Sequence, residues 1–158
     1  MIEHNFASQE YIAPIQGYKK EIKILNDKEA IELERYLREE EINPRWRIAI
    51  LTILYMGLRR GELGGLEWKD IDFENGTMRI CRSVQELPGF GIFTKEPKTE
   101  TSKRTISMPE NLITYLKEYQ VWWQEHKSYL GDRWETIDRL FSTDSGEPIS
   151  PGLYIVWL

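Results

Sequence analysis

The spacing of apolar and polar residues predicts a helical first third of the chain. Asn26 is placed to cap a first helix, with Glu29 completing a capping-box pattern, and apolar residues then recur at helical spacing. Asn43 and Pro44 start a second helix, whose run WRIAILTILYMG is apolar on nearly every side. We therefore expect the second helix to be the buried, central one, with Gly57 loosening its end.

The pattern then changes from a helical period to a period of two. After a short helical turn at residues 62–66, Asn75 and Gly76 lie between two β-prone runs, which is a strong hairpin signal. The runs GIFTK and RTISM predict further strands, and ENLITYLKEYQVWWQEHKSYL, beginning after Pro109, predicts a long helix. The predicted fold class is α+β, mainly helical, with a small antiparallel three-stranded sheet.

Residues 139–158 predict a short strand, a turn and the first turns of a helix. Residues 139–142 have the pattern of a short strand, DSGEP that of a turn, and Ser150 with Pro151 that of a helix start. The following LYIVWL is apolar and lacks a C-terminal helix signal. We expect the chain to be a piece of a longer protein, with residues 153–158 forming an exposed apolar face through which it could self-associate.

Length and composition indicate one folded domain. Residues 1–25 show no period and are interpreted as a linker or arm remnant, whereas residues 26–158 form the domain. The net charge of −5 means that any nucleic-acid site must be a local basic patch. Cys81 is the single cysteine, and no stretch approaches the roughly 18 apolar residues of a membrane span. We expect a soluble, cytoplasmic protein without membrane contact, and no cofactor or metal is indicated.

Two adjacent arginines follow the central helix in the stretch GLRRGEL. We expect Arg59 to lie at the buried end of that helix, where packing would fix its guanidinium as a phosphate site, while Arg60 points elsewhere. The alternative is an ordinary surface pair of Arg59 with Glu62, worth at most about 1 kcal/mol. Spacing alone does not decide between these two interpretations.

A second basic cluster lies at the predicted tip KEPKTETSKR, residues 95–104. Four basic side chains against two acidic ones leave a local charge of +2 in an acidic protein. Lys98 lies between Pro97 and Thr99, and an ammonium near a leaving oxygen can donate a proton to it. The alternative is a solvated turn, which is what most charged runs are.

Together these stretches resemble the catalytic domain of the tyrosine recombinases, the phage-type integrases. The resemblance covers about residues 24–158, in the order GLRRGEL, LEWKDIDF, the NGT hairpin, PKTETSKRTISMP and FSTDSGEPIS. It implies that Arg59 is the first catalytic arginine, that Lys98 is the hairpin lysine acting as general acid, and that Glu62 is a structural support. The basic residues around them are predicted to contact DNA: Arg60, Lys95, Lys103 and Arg104.

The implied reaction is a metal-free exchange of DNA strands. A tyrosine hydroxyl attacks the scissile phosphate, forms a 3′-phosphotyrosyl link and releases a 5′-hydroxyl, which later attacks the partner strand. The implied partners are double-stranded DNA attachment sites and other recombinase protomers in a synaptic tetramer. The implied purpose is integration or excision of a mobile element such as a phage or transposon.

The chain departs from the family pattern in one respect that matters for activity. It contains no His-x-x-Arg box and no tyrosine after such a box, and neither His4 nor His126 fits one. We therefore expect this chain to be inactive alone and its full-length parent to be active. The remaining alternative is a non-catalytic DNA- or protein-binding module that uses the tip and the helix bearing Trp122 and Trp123.

Overall fold

The computed structural model describes residues 24–39, 41–95, 103–134 and 138–153. The helices in these ranges are α1 (Asp27–Glu39), α2 (Pro44–Met56), α3 (Arg60–Gly65) and α4 (Glu110–Leu130), with short 3-10 turns at Trp68–Asp70 and Gly131–Arg133. The strands are β1 (Ile71–Asp72), β2 (Thr77–Ile80), β3 (Ser83–Leu87), β4 (Gly91–Lys95) and β5 (Arg104–Ser107). No helix in the described ranges is both long and apolar enough to span a membrane.

The first two helices begin as their capping residues predict. The backbone N–H of Asn26 donates to Glu29 Oε2 at 2.9 Å, and the N–H of Glu29 donates to Asn26 Oδ1 at 3.0 Å. The Oδ1 of Asn43 accepts from the N–H of Arg45 at 3.0 Å, at the start of α2. Gly57 ends α2 with a left-handed φ of 60°, which glycine adopts without strain.

Helix α2 is the central helix, as its apolar pattern predicts. It packs against α4, and just over half of its residues are buried: Arg45, Ile48, Ala49, Ile50, Leu51, Thr52 and Met56. The hydroxyl of Thr52 donates to the Ile48 carbonyl at 2.7 Å, so this buried polar group is satisfied. Leu112 and Leu116 of α4 are fully buried against it.

An aromatic cluster fills the space between α4 and the C-terminal stretch. Trp123 is buried and meets Trp68 and Trp134 edge to face, at centroid distances of 5.6 and 5.2 Å. Trp122 stacks on Tyr119 at 5.6 Å and on His126 at 5.1 Å. These rings pack against one another, so Trp123 belongs to the core, whereas Trp122 is only partly buried. The alternative of a partner-binding helix stays a prediction.

The strands form two antiparallel sheets. The predicted three-stranded sheet is present in the order β1-β2-β5, and the predicted hairpin at Asn75 and Gly76 joins β1 to β2. A separate two-stranded sheet, β3-β4, was not predicted. The chain leaves the first sheet after β2, and at this point Arg82 turns inward to Asp70, with Nη2 2.6 Å from Oδ1.

Helix α3 lies unusually close to β3. A Cβ added at Gly65 would lie 2.8 Å from the Arg82 carbonyl oxygen, and one at Gly61 would lie 2.7 Å from that of Val84. Both distances are shorter than side chains tolerate against backbone, so only glycine permits this approach. The two glycines therefore allow α3 to lie directly against β3.

We expect Gly65→Ala to lower the free energy of unfolding by about 1–3 kcal/mol, because α3 must move away from β3 to admit the methyl group. Urea denaturation of the chain measures this. Gly152→Ala is the matched control, since its Cβ would lie 3.4 Å from Ser150 Oγ, an ordinary contact distance. Equal stability of the Gly65 variant and the wild type would show that the methyl group fits between α3 and β3 without a shift of the helix.

The C-terminal stretch closes over the core through isolated bridges. Residues 139–142, predicted as a strand, form two isolated antiparallel bridges, Glu67 with Arg139 and Ser142 with Pro148. The predicted turn is confirmed, with the N–H of Thr143 donating to the Glu147 carbonyl at 2.8 Å. Residues 154–158, where the predicted apolar helix falls, and residues 1–23 of the predicted linker lie outside the described residues. The domain boundary and the self-association therefore remain predictions.

Candidate functional site

The two adjacent arginines lie at the junction of α2 and α3. Leu58 takes the buried position after Gly57, and Arg59 becomes the N-cap residue of α3. The Arg59 side chain is 84% exposed, and Arg60 is exposed as well. The prediction that packing at the buried end of α2 fixes the Arg59 guanidinium is wrong, because Leu58 occupies that position.

The Arg59 guanidinium is instead held by a carboxylate. Glu62, one turn later, is only 8% exposed and accepts four hydrogen bonds. Its Oε1 accepts from Arg59 Nη1 at 3.2 Å and from Arg104 Nη1 at 2.8 Å. Its Oε2 accepts from the Arg59 backbone N–H and from Arg104 Nη2, both at 2.9 Å. This geometry supports the structural role predicted for Glu62.

The electrostatics of this trio favour an ionised Glu62. The hydrogen bonds from Arg104, with the Arg59 backbone N–H and the charges of both arginines, together lower the Glu62 pKa to about 2 against the opposing effect of burial. The same pairing raises the pKa of Arg104. Two guanidinium groups share one carboxylate, so the cluster carries one net positive charge and retains attraction for an anion.

The arginine pair opens onto a surface cleft of about 490 Å³. The start of α3 forms one wall, β3 forms another, and Pro151 with Gly152 closes the end. Glu86 lies on the β3 wall, and its Oε2 accepts a short hydrogen bond from the Ser150 hydroxyl. The cleft can therefore present two cationic side chains to a phosphate group.

The other residues predicted for the site are distributed differently. Lys95 is exposed at the end of β4, and Lys103 immediately precedes β5. Lys98 lies outside the described residues, so its role remains a prediction. Arg104 directs both terminal nitrogens to Glu62, which places it among the groups supporting Arg59 and not among those presented to a ligand. Sequence spacing gave no signal for this pair, because 42 positions separate its members.

A second charged cluster, next to the end of α3, was not predicted from the sequence either. Arg82 reaches Asp70 and the Glu67 carboxylate, the latter at 3.1 Å, while its Nε donates to the Gly65 carbonyl at 3.3 Å. Cys81 Sγ contacts Asp70 Oδ1 at 3.5 Å, and burial followed by the Asp70 charge raises the cysteine pKa. Cys81 is therefore a poor nucleophile.

The described residues offer no metal site. Within residues 24–39, 41–95, 103–134 and 138–153, no three histidine, cysteine, aspartate or glutamate side chains gather in a way that could hold an ion.

Comparison with known proteins identifies the family. The model described as "Phage integrase family" matches residues 23–150, which is most of the chain. The chain belongs to the phage integrase family. This confirms the resemblance seen in the sequence motifs.

Individual members of the phage integrase family agree with this assignment. A tyrosine recombinase XerC-like protein of Caldanaerobacter subterraneus subsp. tengcongensis is 29% identical over 147 residues, covering 86% of this chain and 37% of the relative. The transposase from transposon Tn916 of Enterococcus faecalis is 29% identical over 94 residues, covering 60% of this chain and 23% of the relative. The chain therefore spans well under half the length of these relatives.

A solved structure shows the shared fold. The Tn1549 transposon integrase, determined in complex with circular intermediate DNA, superposes with a TM-score of 0.67 at 22% identity, covering 90% of this chain and 44% of the integrase. The predicted fold class, that of a tyrosine recombinase catalytic domain, is confirmed.

Proposed function

We propose that this chain supplies the phosphate-holding part of a site-specific DNA recombinase. The recombinase would cut and rejoin double-stranded DNA through a 3′-phosphotyrosyl intermediate, and so integrate or excise a mobile element. The observation that carries this proposal is the exposed Arg59 guanidinium, anchored by Glu62 at the edge of a cleft that Arg60 also lines. Membership of the phage integrase family supports the choice of reaction.

The proposed task of Arg59 is to bind the non-bridging oxygens of the scissile phosphate. Charge builds on those oxygens as the tyrosine attacks, and a guanidinium offers two parallel N–H donors that match them. Glu62 holds the backbone and one terminal nitrogen of Arg59, so the group is oriented before DNA arrives. One such preorganised donor contributes about 10²–10³-fold to the rate.

The remaining steps need groups besides Arg59. We assign protonation of the leaving 5′ oxygen to Lys98 and DNA backbone contacts to Arg60, Lys95 and Lys103. The nucleophilic tyrosine and a second arginine would come from other parts of the full-length recombinase, which acts with further protomers in a synaptic tetramer. This chain alone is then inactive in strand cleavage.

DNA binding by this chain provides the first test of the proposal. About three phosphate contacts predict a shallow salt dependence, with affinity for duplex DNA falling about 10- to 40-fold from about 50 mM to about 200 mM salt. Fluorescence anisotropy with a labelled duplex measures this, and Arg60→Gln should reduce the logarithmic salt slope by about 1.

Arg35→Gln serves as the control for this binding experiment. Arg35 also carries an exposed guanidinium, but it lies on α1 and pairs with Glu39 at 2.8 Å. The Arg35→Gln substitution should leave the logarithmic salt slope of DNA binding unchanged. Absence of detectable binding even at low salt would contradict a phosphate site on this surface.

A further inference from the structure

Both strands that flank residues 96–102 are tied to α3. On one side, Arg104 begins β5 and pairs through both terminal nitrogens with Glu62. On the other side, Thr94 of β4 accepts a hydrogen bond from Arg139 Nη2, whose Nη1 donates to the Gly64 carbonyl at 2.8 Å. Glu62 and Gly64 both belong to α3, the helix that begins directly after Arg59.

We propose that Arg104 and Arg139 are positioning residues, which fix β5 and β4 to α3 and thereby support Arg59. The inference rests on the proposed function, because it assumes that Arg59 binds the scissile phosphate. It goes beyond that function in assigning two arginines a role that neither the cleft nor the sequence pattern indicates.

The Arg104 anchor acts directly on Arg59. Each oxygen of Glu62 accepts one hydrogen bond from Arg104 and one from Arg59, so the carboxylate bridges the two arginines. The backbone of Arg104 is fixed as well, since it pairs with Ile80 in the register of β2 and β5. A shift of β5 would therefore be transmitted through Glu62 to the Arg59 guanidinium.

The Arg139 anchor is more deeply buried. Arg139 is 4% exposed, and its backbone pairs with Glu67 in an isolated bridge. The next residue, Leu140, donates its N–H to the Leu66 carbonyl at 2.9 Å, just beyond the end of α3. The guanidinium thus links a fixed backbone to two elements at once, the last turn of α3 and the end of β4.

The exposure of the two arginines at Glu62 separates positioning from DNA contact. The side chain of Arg104 is 36% exposed, whereas that of Arg59 is 84% exposed. Glu62 already occupies the end-on pair of N–H donors of Arg104, so a phosphate could take that pair only by displacing Glu62, which would release Arg59 at the same time. This pairing and the lower exposure suit Arg104 to act through Glu62, and Arg59 to meet the DNA.

The link between Arg104 and Glu62 can be tested in this chain without DNA. Carbon-13 NMR titration of the Glu62 carboxyl should show its pKa near 2 in the wild type and closer to the ordinary value of 4.5 in Arg104→Gln. The Arg59 backbone amide signal should shift in the same variant. Arg35→Gln should change neither, and an unaltered Glu62 titration in Arg104→Gln would overturn the proposed link.

The consequence for chemistry needs the full-length recombinase and a duplex substrate that traps the covalent intermediate. Arg104→Gln and Thr94→Val should each slow single-turnover cleavage at saturating DNA about 10- to 100-fold, and Thr94→Val, which changes no charge, should leave the Kd for DNA within about twofold of wild type. Arg104→Lys keeps the charge without the fork, so it should recover part of the rate. Arg35→Gln should cleave at the wild-type rate.

Three outcomes would contradict the positioning role or the proposed function on which it rests. Wild-type cleavage by Arg104→Gln would remove its positioning role. A weaker Kd with a salt slope reduced by about 1, and normal cleavage at saturating DNA, would make Arg104 a phosphate ligand instead. If the wild-type recombinase forms no covalent adduct, the proposed function fails, and the NMR titration still decides whether Arg104 holds Glu62.

Discussion

Arg59→Lys is expected to slow DNA strand cleavage by the full-length recombinase about 10²–10³-fold. Lysine keeps the positive charge but lacks the planar fork that binds two phosphate oxygens at once. It also loses the guanidinium bond to Glu62 Oε1, although the backbone N–H of residue 59 can still reach Oε2. The charge would then no longer be held where the transition state needs it.

The measurement is single-turnover formation of the protein–DNA adduct at saturating DNA, together with the Kd for the same site. We expect Kd to change only a few-fold, because the lost interaction strengthens mainly as charge develops on the phosphate. Arg35→Lys is the matched control, an exposed arginine in a helix surface pair. Adduct formation at the wild-type rate would exclude Arg59 from catalysis, and a parallel loss of affinity and rate would make it a ground-state binding residue.

The elements predicted correctly from the sequence are those that local chemistry determines. The capping box of Asn26 and Glu29, the Asn75-Gly76 hairpin and the helix after Pro109 each depend on residues a few positions apart. Such signals fix the backbone almost independently of the rest of the chain. The helices and the three-stranded sheet were accordingly found near their predicted positions.

The features that were missed depend on contacts between distant parts of the chain. The second sheet, β3-β4, follows a break in the strand at Arg82, whose side chain turns back to Asp70, twelve positions earlier. The run TMRICRSV has a β-prone pattern throughout, so nothing local marks that departure. The spacing of apolar residues predicts which apolar side chains are buried, but it does not predict which charged side chain turns inward.

In the candidate site, too, features set by neighbouring residues were predicted and features set by distant contacts were not. The motif resemblance singled out Arg59 and Glu62, and the structure places them in contact. It could not show that the Arg59 side chain is exposed, because that depends on Leu58 taking the buried place at the end of α2. Nor could it show that Arg104 belongs with Glu62, since an ion pair between a helix and a strand has no sequence period.

Stability at low pH should depend on Glu62. Its pKa is about 2 in the folded chain and near the ordinary 4.5 when unfolded, so the unfolded state takes up the proton first as the solution is acidified. The stabilisation is therefore complete above about pH 4.5 and is lost progressively as the pH falls to about 2. This pKa difference corresponds to at most about 3 kcal/mol.

Urea unfolding of the wild type and Glu62→Gln at several pH values tests this dependence. At pH 7 the variant should be less stable by about 3 kcal/mol, because a glutamine amide would turn an N–H donor toward the donors of Arg104 and Arg59. The difference in free energy of unfolding between the two proteins should become steadily smaller from pH 4.5 to pH 3, because only the wild type loses a charge–charge contribution in this range.

Glu39→Gln is the control for this pH series. Glu39 also pairs with an arginine, but the carboxylate is 58% exposed, so its loss should cost less than about 0.5 kcal/mol at every pH. A Glu62→Gln gap that stays constant from pH 7 to pH 3 would mean that packing, and not charge, is what Glu62 contributes. In that case the carboxylate could not be the group that holds Arg59 and Arg104 together, and the preorganisation of Arg59 would need another source.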